Sequence, residues 1–337
     1  METIYFSFII PVYNRPDEVD ELLESFTKLI GNSNIEVVIV EDGSTEDCKS
    51  VVERFQSKLN LNYYFKQNSG PGNSRNYGMK HAKGNYFIIL DSDCVLPDNY
   101  LEIVNRNLRQ NYVDCFGGPD AAHKSFTHLQ KAINFAMTSF ITTGGIRGGN
   151  DNLKDFQPRS FNMGISKLAF ETSKGFGTIH PGEDPDLAIR LKNLGFKTAL
   201  FNEAFVYHKR RISWSKFYLQ VYKFGLVRPI LNKWHPETKK IIYWLPTLFS
   251  VGLVIAIALL IGHFKWLLLL YALYFLMAFI VAIISTKNLV VAILSMLAIL
   301  IQFFGYGYGF LKSTIKLMIS NKQPEQLFPN LFFRHVK

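Results

Sequence analysis

The sequence predicts an α/β domain with a Rossmann-like, mostly parallel sheet, followed by C-terminal transmembrane helices. Two observations along the 337 residues predict this class. In the first 208 residues, short apolar runs rich in β-branched and aromatic residues alternate with segments of helical spacing. This alternation is typical of buried parallel strands joined by helices. The C-terminal third contains three apolar runs long enough to cross a hydrocarbon core of about 30 Å.

The N-terminal part alternates regularly between the two patterns. The apolar runs lie at residues 4–12, 35–40, 61–65 and 86–90. The segments with helical spacing lie between them, at residues 16–29, 46–59 and 71–82. This order predicts a doubly wound sheet, in which ligands bind at the carboxyl ends of the strands. We therefore expect one folded domain over residues 1–212.

The three apolar runs lie at residues 241–262, 266–284 and 289–311, and none contains Asp, Glu, Lys or Arg. If they were buried helices of a soluble core, they would need an equally large apolar partner layer, which the rest of the sequence does not offer. They are therefore predicted to be transmembrane helices. The basic residues that follow give a basic tail over residues 312–337.

The net charge of +10 is concentrated beside these runs. Residues 209–240 carry nine Lys or Arg and one acidic residue, whereas residues 1–208 have a net charge of about −4. A nucleic-acid-binding protein more often carries its positive charge on the folded domain, so this distribution indicates a membrane surface instead. Residues 213–240 are predicted to be a basic juxtamembrane segment in the headgroup plane. An ordinary packing helix of the folded domain is the alternative.

Polar side chains follow three of the predicted strands at the points where the strands end. The first strand runs into Tyr13, the second into Asp42, and the fourth into Asp91, Ser92 and Asp93. The carboxyl ends of neighbouring parallel strands meet at one edge of a sheet, and acidic groups placed there repel each other unless a cation or a donor lies between them. Asp91 and Asp93 therefore predict a site for a hard divalent cation, which takes oxygen ligands.

A glycine-rich segment at residues 68–78 follows the third strand and opens a helix. Glycines allow the backbone to approach a ligand closely, and a helix N-terminus favours anions. The segment is not a P-loop, because no Gly-Lys-Ser/Thr follows it. A simple turn would give no reason for an arginine at position 75.

Glu183 and Asp184 open a further predicted helix. Acidic residues at this position can simply complement the helix dipole. Alternatively, one of the two carboxylates is a general base, which has to lie within hydrogen-bond reach of the proton that it removes. The residues alone leave both interpretations open.

The segments PVYN, EDGS, GPGNSRNYG, DSD and ED, in this order, resemble a family 2 inverting glycosyltransferase with the GT-A fold. The resemblance covers residues 4–215, and the appended apolar runs resemble the membrane-anchored bacterial members that build polysaccharides, lipid-linked glycans or lipid-carrier sugars. It implies metal-dependent transfer from a nucleotide-diphosphate sugar, in particular a UDP-sugar, to a hydroxyl of a lipid-linked or growing glycan acceptor at the membrane.

The resemblance also implies which residues bind the nucleotide sugar. Tyr13 would stack on the nucleobase, and Asp42 would hydrogen-bond the edge of that base. Pro11 would contribute backbone contacts nearby. Arg75 and Ser92 would lie near the nucleotide.

The metal and the catalytic residues follow from the same resemblance. Asp91 and Asp93 would hold Mg²⁺ or Mn²⁺ on the diphosphate, and His208 would add a further metal contact, although a lone histidine is as often structural. Asp184 would deprotonate the acceptor hydroxyl, with Glu183 positioning it. The sugar would then be transferred in one displacement with inversion of configuration.

Arg210 and Arg211 could neutralise the leaving diphosphate. They could equally bind anionic lipid, because they begin the basic juxtamembrane run. Processive members of the family carry a QxxRW motif, and residues 220–224, QVYKF, do not match it. Synthesis of a long homopolymer is therefore disfavoured.

Three other functions share part of this pattern. A polyprenyl-phosphate sugar synthase would use the same residues. A nucleotidyltransferase would carry a glycine-rich loop with a lysine ahead of its metal site, and residues 1–20 contain none. A non-catalytic scaffold would not need Asp42, Asp91, Asp93 and Asp184. No nucleic-acid partner is expected, and the sequence leaves the oligomeric state open.

The expected location is the cell inner (cytoplasmic) membrane, as a multi-pass protein with the catalytic domain facing the cytoplasm. The three cysteines have no CxxC spacing, which argues against a structural zinc site and fits a reducing compartment. No secretory signal peptide is recognisable before residue 20. The positive-inside rule gives conflicting answers for residues 312–337, so the side of the tail stays open.

Overall fold

The computed structural model describes residues 3–31, 35–121, 126–144, 156–208 and 213–333. The chain divides into two compact units. The first, which we call the sheet unit, comprises Met1–His123, Asp151–Lys209 and Phe332–Lys337. The second, which we call the helical unit, comprises Lys124–Asn150 and Arg210–Leu331.

The sheet unit is built on a seven-stranded sheet of order β3-β2-β1-β4-β8-β6-β9. Its strands are β1 (Phe6–Val12), β2 (Ile35–Asp42), β3 (Leu61–Lys66), β4 (Tyr86–Leu90), β6 (Cys115–Gly117), β8 (Asn162–Ser166) and β9 (Thr198–Leu200). Strands β3, β2, β1 and β4 pair in parallel, while β8 is antiparallel to both β4 and β6. The predicted α/β class with a mostly parallel sheet is therefore confirmed, and so are the four predicted strands.

Helices cover both faces of this sheet. They are α1 (Pro16–Thr27), α2 (Lys49–Phe55), α3 (Pro71–His81), α4 (Tyr100–Gln110), α7 (Lys167–Ser173) and α8 (Glu183–Asn193). Alternate residues of β1 point to opposite faces, so that Phe8 joins one apolar core and Ile9 joins the other. Because β1 pairs in parallel with both β2 and β4, the carboxyl ends of the three strands meet at one edge, where Val12 pairs with Glu41 in register.

A second, three-stranded sheet lies next to the end of β4. It consists of β5 (Cys94–Val95), β7 (Asp120–Ala121) and β10 (Val206–His208), in the order β5-β10-β7. His208 is paired in register with Cys94, the residue that follows Asp93. This pairing brings the backbone of His208 to the aspartate turn.

The helical unit contains the predicted membrane segments. Its helices are α5 (His128–Thr138), α6 (Phe140–Thr143), α9 (Trp214–Trp234), α10 (Leu245–Leu260), α11 (Trp266–Thr286), α12 (Leu289–Ile319) and α13 (Pro324–Leu327), with 3₁₀ turns at Pro236–Thr238, Ile241–Trp244 and Pro329–Leu331. Among the described residues, three helical segments are long and apolar enough to cross a membrane: Ile241–Leu260, Trp266–Thr286 and Leu289–Ile319.

Two boundaries differ from those expected from the sequence. Helix α12 continues beyond residue 311 to Ile319, because Lys312 and Lys316 end the apolar run without ending the helix; long basic side chains can reach water from a helix end. Residues 128–138, expected in the N-terminal domain, form α5, and its Ile133 packs with Phe217 and Ala278 of the helical unit.

Helices α9 and α12 touch through glycines. A Cβ on Gly225 would collide with the carbonyl oxygen of Tyr306, and a Cβ on Gly309 would collide with the carbonyl oxygen of Tyr222. Small residues at such positions let two helix backbones approach closely. The two helices therefore pack backbone to backbone in the helical unit.

Candidate active site

Arg75 joins two of the acidic segments that the sequence singled out. Helix α3 begins after Gly70, whose φ of +90° favours glycine, and it carries Arg75 into the protein, where only 4% of the residue is exposed. Nη2 of Arg75 donates to Oδ1 of Asp91 at 2.8 Å, and Nη1 donates to Oε1 of Glu183 at 3.1 Å. The end of β4 and the start of α8 are thus held together by one guanidinium.

Glu183 is kept ionised by His180 and by this Arg75 bridge. Burial by itself would raise the pKa of Glu183, but the charges of His180 and Arg75 outweigh burial and lower the pKa to about 2. Nδ1 of His180 lies 2.9 Å from Oε1 of Glu183. Burial would likewise lower the pKa of Arg75, yet Asp91 and Glu183 raise it above its usual value. Glu183 and Arg75 are therefore charged at neutral pH.

The pKa of Asp184 is shifted in the opposite direction. Burial raises its pKa, and the charge of Glu183 raises it further, against smaller opposing contributions from Arg75 and Arg159. Its Oδ1 atom is buried and has no hydrogen-bond partner in the described part of the chain. A carboxylate with a raised pKa and an unpaired oxygen is suited to accept a proton.

Asp42 organises the glycine-rich segment. Its Oδ1 accepts hydrogen bonds from the backbone N of Ser69, at 2.9 Å, and from Nζ of Lys66. Its Oδ2 accepts from the backbone N of Gly70 at 2.9 Å. A carboxylate has about four lone-pair sites, so these three bonds leave room for one further donor.

The loop after β1 presents Tyr13 to solvent. The side chain is 52% exposed, and the next residue, Asn14, has a φ of +53°. Oδ1 of Asn14 accepts from the backbone N of Thr45 at 2.8 Å, and the backbone N of Asn14 donates to Oγ of Ser44 at 2.7 Å. These bonds join the Tyr13 loop to the loop after Asp42. Pro11 lies just before this loop, paired in register with Val40.

Asp91 and Asp93 flank the buried Ser92 at the end of β4. Each aspartate faces an arginine: Asp91 faces Arg75, and Oδ2 of Asp93 lies 3.1 Å from Nη1 of Arg15. Two carboxylates with partly exposed oxygens are the donor set that Mg²⁺ or Mn²⁺ uses when phosphates supply the other ligands. In the described part of the chain, no cluster of three His, Cys, Asp or Glu side chains could hold a metal by itself.

Some predicted residues lie outside what the structure describes. The backbone of His208 is in β10, opposite Cys94, but its side chain is outside the described part. Arg210 and Arg211 also lie outside the described residues. Their proposed contacts with a metal or a diphosphate stay predictions.

Sequence reasoning missed four residues of this site: Arg15, Lys66, Ser69 and His180. His180 precedes Glu183 by three residues, a spacing that could have indicated an ion pair at the helix start. Lys66 ends β3, next to Asp42 at the end of β2, and parallel pairing of the second and third predicted strands could have indicated this position. Nothing local in the sequence pairs Arg15 with Asp93.

The family model described as "Glycosyl transferase family 2" matches residues 7–174 of this chain. The matched range runs from β1 to the end of α7 and contains Tyr13, Asp42, Arg75, Asp91 and Asp93. It ends before Glu183 and Asp184.

Curated relatives match over shorter segments. An uncharacterized glycosyltransferase of Rickettsia bellii is 36% identical over 105 residues, which make up 31% of this chain and 15% of that protein. The poly(ribitol-phosphate) beta-N-acetylglucosaminyltransferase TarS of Staphylococcus aureus is 41% identical over 91 residues, 26% of this chain and 16% of that protein. The chain thus spans only a small part of the length of these relatives.

One solved structure resembles almost the whole chain. It is the mannosyltransferase PcManGT from Pyrobaculum calidifontis in complex with GDP-Man and Mn²⁺, with a TM-score of 0.58 at 16% sequence identity. The likeness covers 96% of this chain and 89% of that chain. At this identity the comparison shows the fold, and it agrees with the GT-A fold expected from the sequence.

Proposed function

With a family 2 glycosyltransferase domain over residues 7–174 as the premise, we propose that this chain transfers a sugar from a UDP-sugar to a hydroxyl of a lipid-linked or growing glycan acceptor at a membrane. The observation that carries the proposal is the Arg75 bridge. It holds Asp91, at the proposed metal and diphosphate side, and Glu183, beside the proposed base, on one buried guanidinium.

Asp184 is the proposed general base. Its unpaired Oδ1 would accept the proton of the acceptor hydroxyl as that oxygen attacks the anomeric carbon, and the sugar would be inverted by the single displacement. Glu183 contributes by staying ionised, because its charge helps to keep the pKa of Asp184 raised. Positioned base catalysis typically contributes roughly 10²- to 10⁴-fold in rate.

Asp91 and Asp93 are proposed to hold Mg²⁺ or Mn²⁺ together with the diphosphate of the donor. A bound divalent cation would neutralise the charge that builds up on the departing diphosphate. Arg75 and Arg15, which now face the two carboxylates, would keep the aspartates in place at the end of β4. His208, the last residue of β10, and Arg210 and Arg211, which follow it in the sequence, are proposed as further contacts to the metal or diphosphate.

The nucleoside is proposed to bind between the loops after β1 and β2. The exposed ring of Tyr13 would stack on the base, and the remaining acceptor site of Asp42 would take a donor from the base edge. Pro11 and Ser92 would line the same edge of the sheet. The mannosyltransferase from P. calidifontis was solved with a nucleotide sugar and Mn²⁺, which is the kind of complex proposed here.

The acceptor is proposed to be membrane-bound. In the described part of the chain, three helices apolar enough to cross a membrane follow the family 2 domain, and an anchor of this kind confines an enzyme to the layer that holds a lipid-linked substrate. We propose the inner membrane, with residues 1–212 on the cytoplasmic side and residues 213–240 at the interface.

The test is a panel of nucleotide sugars offered to the purified full chain, with and without Mn²⁺, while release of the nucleotide diphosphate is measured. We expect release from one UDP-sugar and none after chelation of the metal. Thin-layer analysis of radiolabelled product before and after mild acid separates a glycan from a polyprenyl-phosphate sugar, which is acid-labile. If no nucleotide sugar is bound or cleaved, the proposal is wrong.

A further inference from the structure

Phe332 and Phe333 follow the helical unit in the chain but pack in the sheet unit. Phe332 forms an antiparallel bridge with Ile179, and the backbone N of Phe333 donates to the carbonyl oxygen of Thr178 at 3.0 Å. We call this two-residue segment the strap. Its backbone is attached to the stretch that leads into α8.

The ring of Phe333 lies directly against Gly70. A Cβ on Gly70 would overlap three carbon atoms of that ring, so the ring occupies the place where a side chain would be. The centre of the same ring lies 6.0 Å from the centre of the His180 ring. The space left among the ring, the glycine-rich segment and residues 177–180 is about 10 Å³, enough for one water molecule.

The strap contacts the glycine-rich segment and residues 177–180, and both are connected to residues of the proposed active site. The backbone N of Gly70 donates to Asp42, and Gly70 immediately precedes the helix that carries Arg75. Residues 178 and 179 immediately precede His180, whose ring bonds Glu183. The two segments are also in direct contact, because a Cβ on Gly72 would lie 2.9 Å from the carbonyl oxygen of Gly177.

We propose that Phe333 is a positioning residue of the active site: its ring fixes the loop before α8 against the glycine-rich segment, and thereby holds His180, Glu183 and Asp184 in place. This inference rests on the proposed function, since it concerns the residues assigned there. Phe333 belongs to neither apolar core of the sheet unit. Loss of its ring should therefore disturb the loops and leave the fold intact.

The first test is Phe333→Ala in the full-length protein. We expect kcat to fall roughly 10- to 100-fold, the cost of a small misplacement of catalytic groups, while the dissociation constant for UDP and the thermal unfolding temperature stay close to wild type. Phe333→Leu keeps apolar bulk on Gly70 and should restore most of the lost kcat. A kcat of Phe333→Ala within about twofold of wild type would overturn the proposal.

Phe332→Ala is the matched control. Adjacent residues of an extended segment point to opposite sides, so we expect the ring of Phe332 on the side away from Gly70, and Phe332 is paired with Ile179 through the backbone. We expect this variant to keep wild-type kcat. Equal losses in the two alanine variants would show a general effect of the segment and would contradict a specific role of the Phe333 ring.

A disulfide between Ile179→Cys and Phe332→Cys tests whether the strap stays in place during turnover or has to move away from the loop before α8. The β-bridge pairs these two positions directly, so cysteines placed there are neighbours. The three native cysteines are buried, and wild type treated with the same oxidant shows whether their oxidation affects activity. We expect the oxidised double variant to stay active. Inactivity that dithiothreitol reverses would show that the strap must be released during turnover, and would overturn the proposal.

Hydrogen exchange makes the inference testable without activity. In Phe333→Ala, the backbone amides of residues 178–180 and 182–184 should exchange faster than in wild type, because local opening becomes easier; Pro181 has no amide hydrogen. Unchanged exchange there would refute the positioning role even if no sugar donor were found. Conversely, an active wild type with an equally active Phe333→Ala would reject this inference alone and leave the proposed function standing.

Discussion

Glu183 and Asp184 are consecutive residues at the start of α8, yet the pKa of Glu183 is lowered and the pKa of Asp184 is raised. Glu183 bonds Arg75 and His180, whereas Asp184 has a buried oxygen without a partner in the described part of the chain. The charge kept on Glu183 is one reason why Asp184 binds its proton more tightly. Glu183 is therefore held in its ionised form, whereas Asp184 is the carboxylate that can take up a proton more readily.

Replacing Asp184 with Asn should nearly abolish turnover and spare donor binding. An amide cannot accept the proton of the acceptor, and loss of a general base costs roughly 10²- to 10⁴-fold. The rate is measured as release of nucleotide diphosphate, and donor affinity is measured by calorimetry.

Asp186→Asn is the matched control for this change. Asp186 lies in the same turn of α8 but is bonded to Arg190 at 2.9 Å, so its loss should affect stability more than turnover. If Asp184→Asn kept more than about a tenth of wild-type activity, the assignment of the base would be incorrect.

The pH dependence of kcat/KM should show an acid limb set by Asp184. The base acts only when it is deprotonated, and its pKa is raised above the usual 3.8 by burial and by Glu183. Activity should therefore fall as the pH drops, at a pH above that usual value. Removing the neighbouring charge in Glu183→Gln should move the limb to lower pH, since one cause of the raised pKa is gone. A limb that stays in place would show that Glu183 does not influence the base.

Arg75→Ala should destabilise the protein strongly. The change leaves the buried Glu183 with His180 as its remaining partner, and breaking a buried ion pair by removing one partner typically costs about 3–5 kcal/mol. The control is Arg54→Ala, which removes an exposed pair with Asp20 and should cost at most about 1 kcal/mol. Thermal unfolding of both variants gives the comparison, and equal unfolding temperatures would contradict a structural role of the Arg75 bridge.

Asp93→Ala should weaken the metal-dependent binding of UDP. We expect a loss of at least the roughly 10- to 100-fold that a disturbed metal shell costs, and no further loss when the metal is chelated. Asp98→Asn, an exposed acidic residue five positions further along, should bind UDP like wild type. Undiminished, manganese-independent binding by Asp93→Ala would remove the basis for a metal at this edge.

The sequence was informative where a feature depends on neighbouring residues. Strands β1 to β4 could be predicted because their apolar runs are continuous, and Asp42, Asp91 and Asp93 because they end those strands. The bond between Arg75 and Glu183 joins residues 108 positions apart, and no local pattern predicts such a pairing. The contact of Phe333 with Gly70 depends in the same way on the tertiary fold. Helix α12 extends beyond its apolar run. Hydropathy indicates which residues favour lipid, whereas a helix ends where its backbone hydrogen bonding ends.

The glycine contacts between α9 and α12 constrain how this chain can vary. Where two backbones touch, even a methyl group at Gly225 or Gly309 has to push the helix axes apart. The stacked rings of Tyr222 and Tyr308, 5.7 Å apart, would then slide out of alignment. A mutational library of the helical unit should accordingly tolerate exchanges among its bulky aliphatic residues and reject changes at the smallest ones.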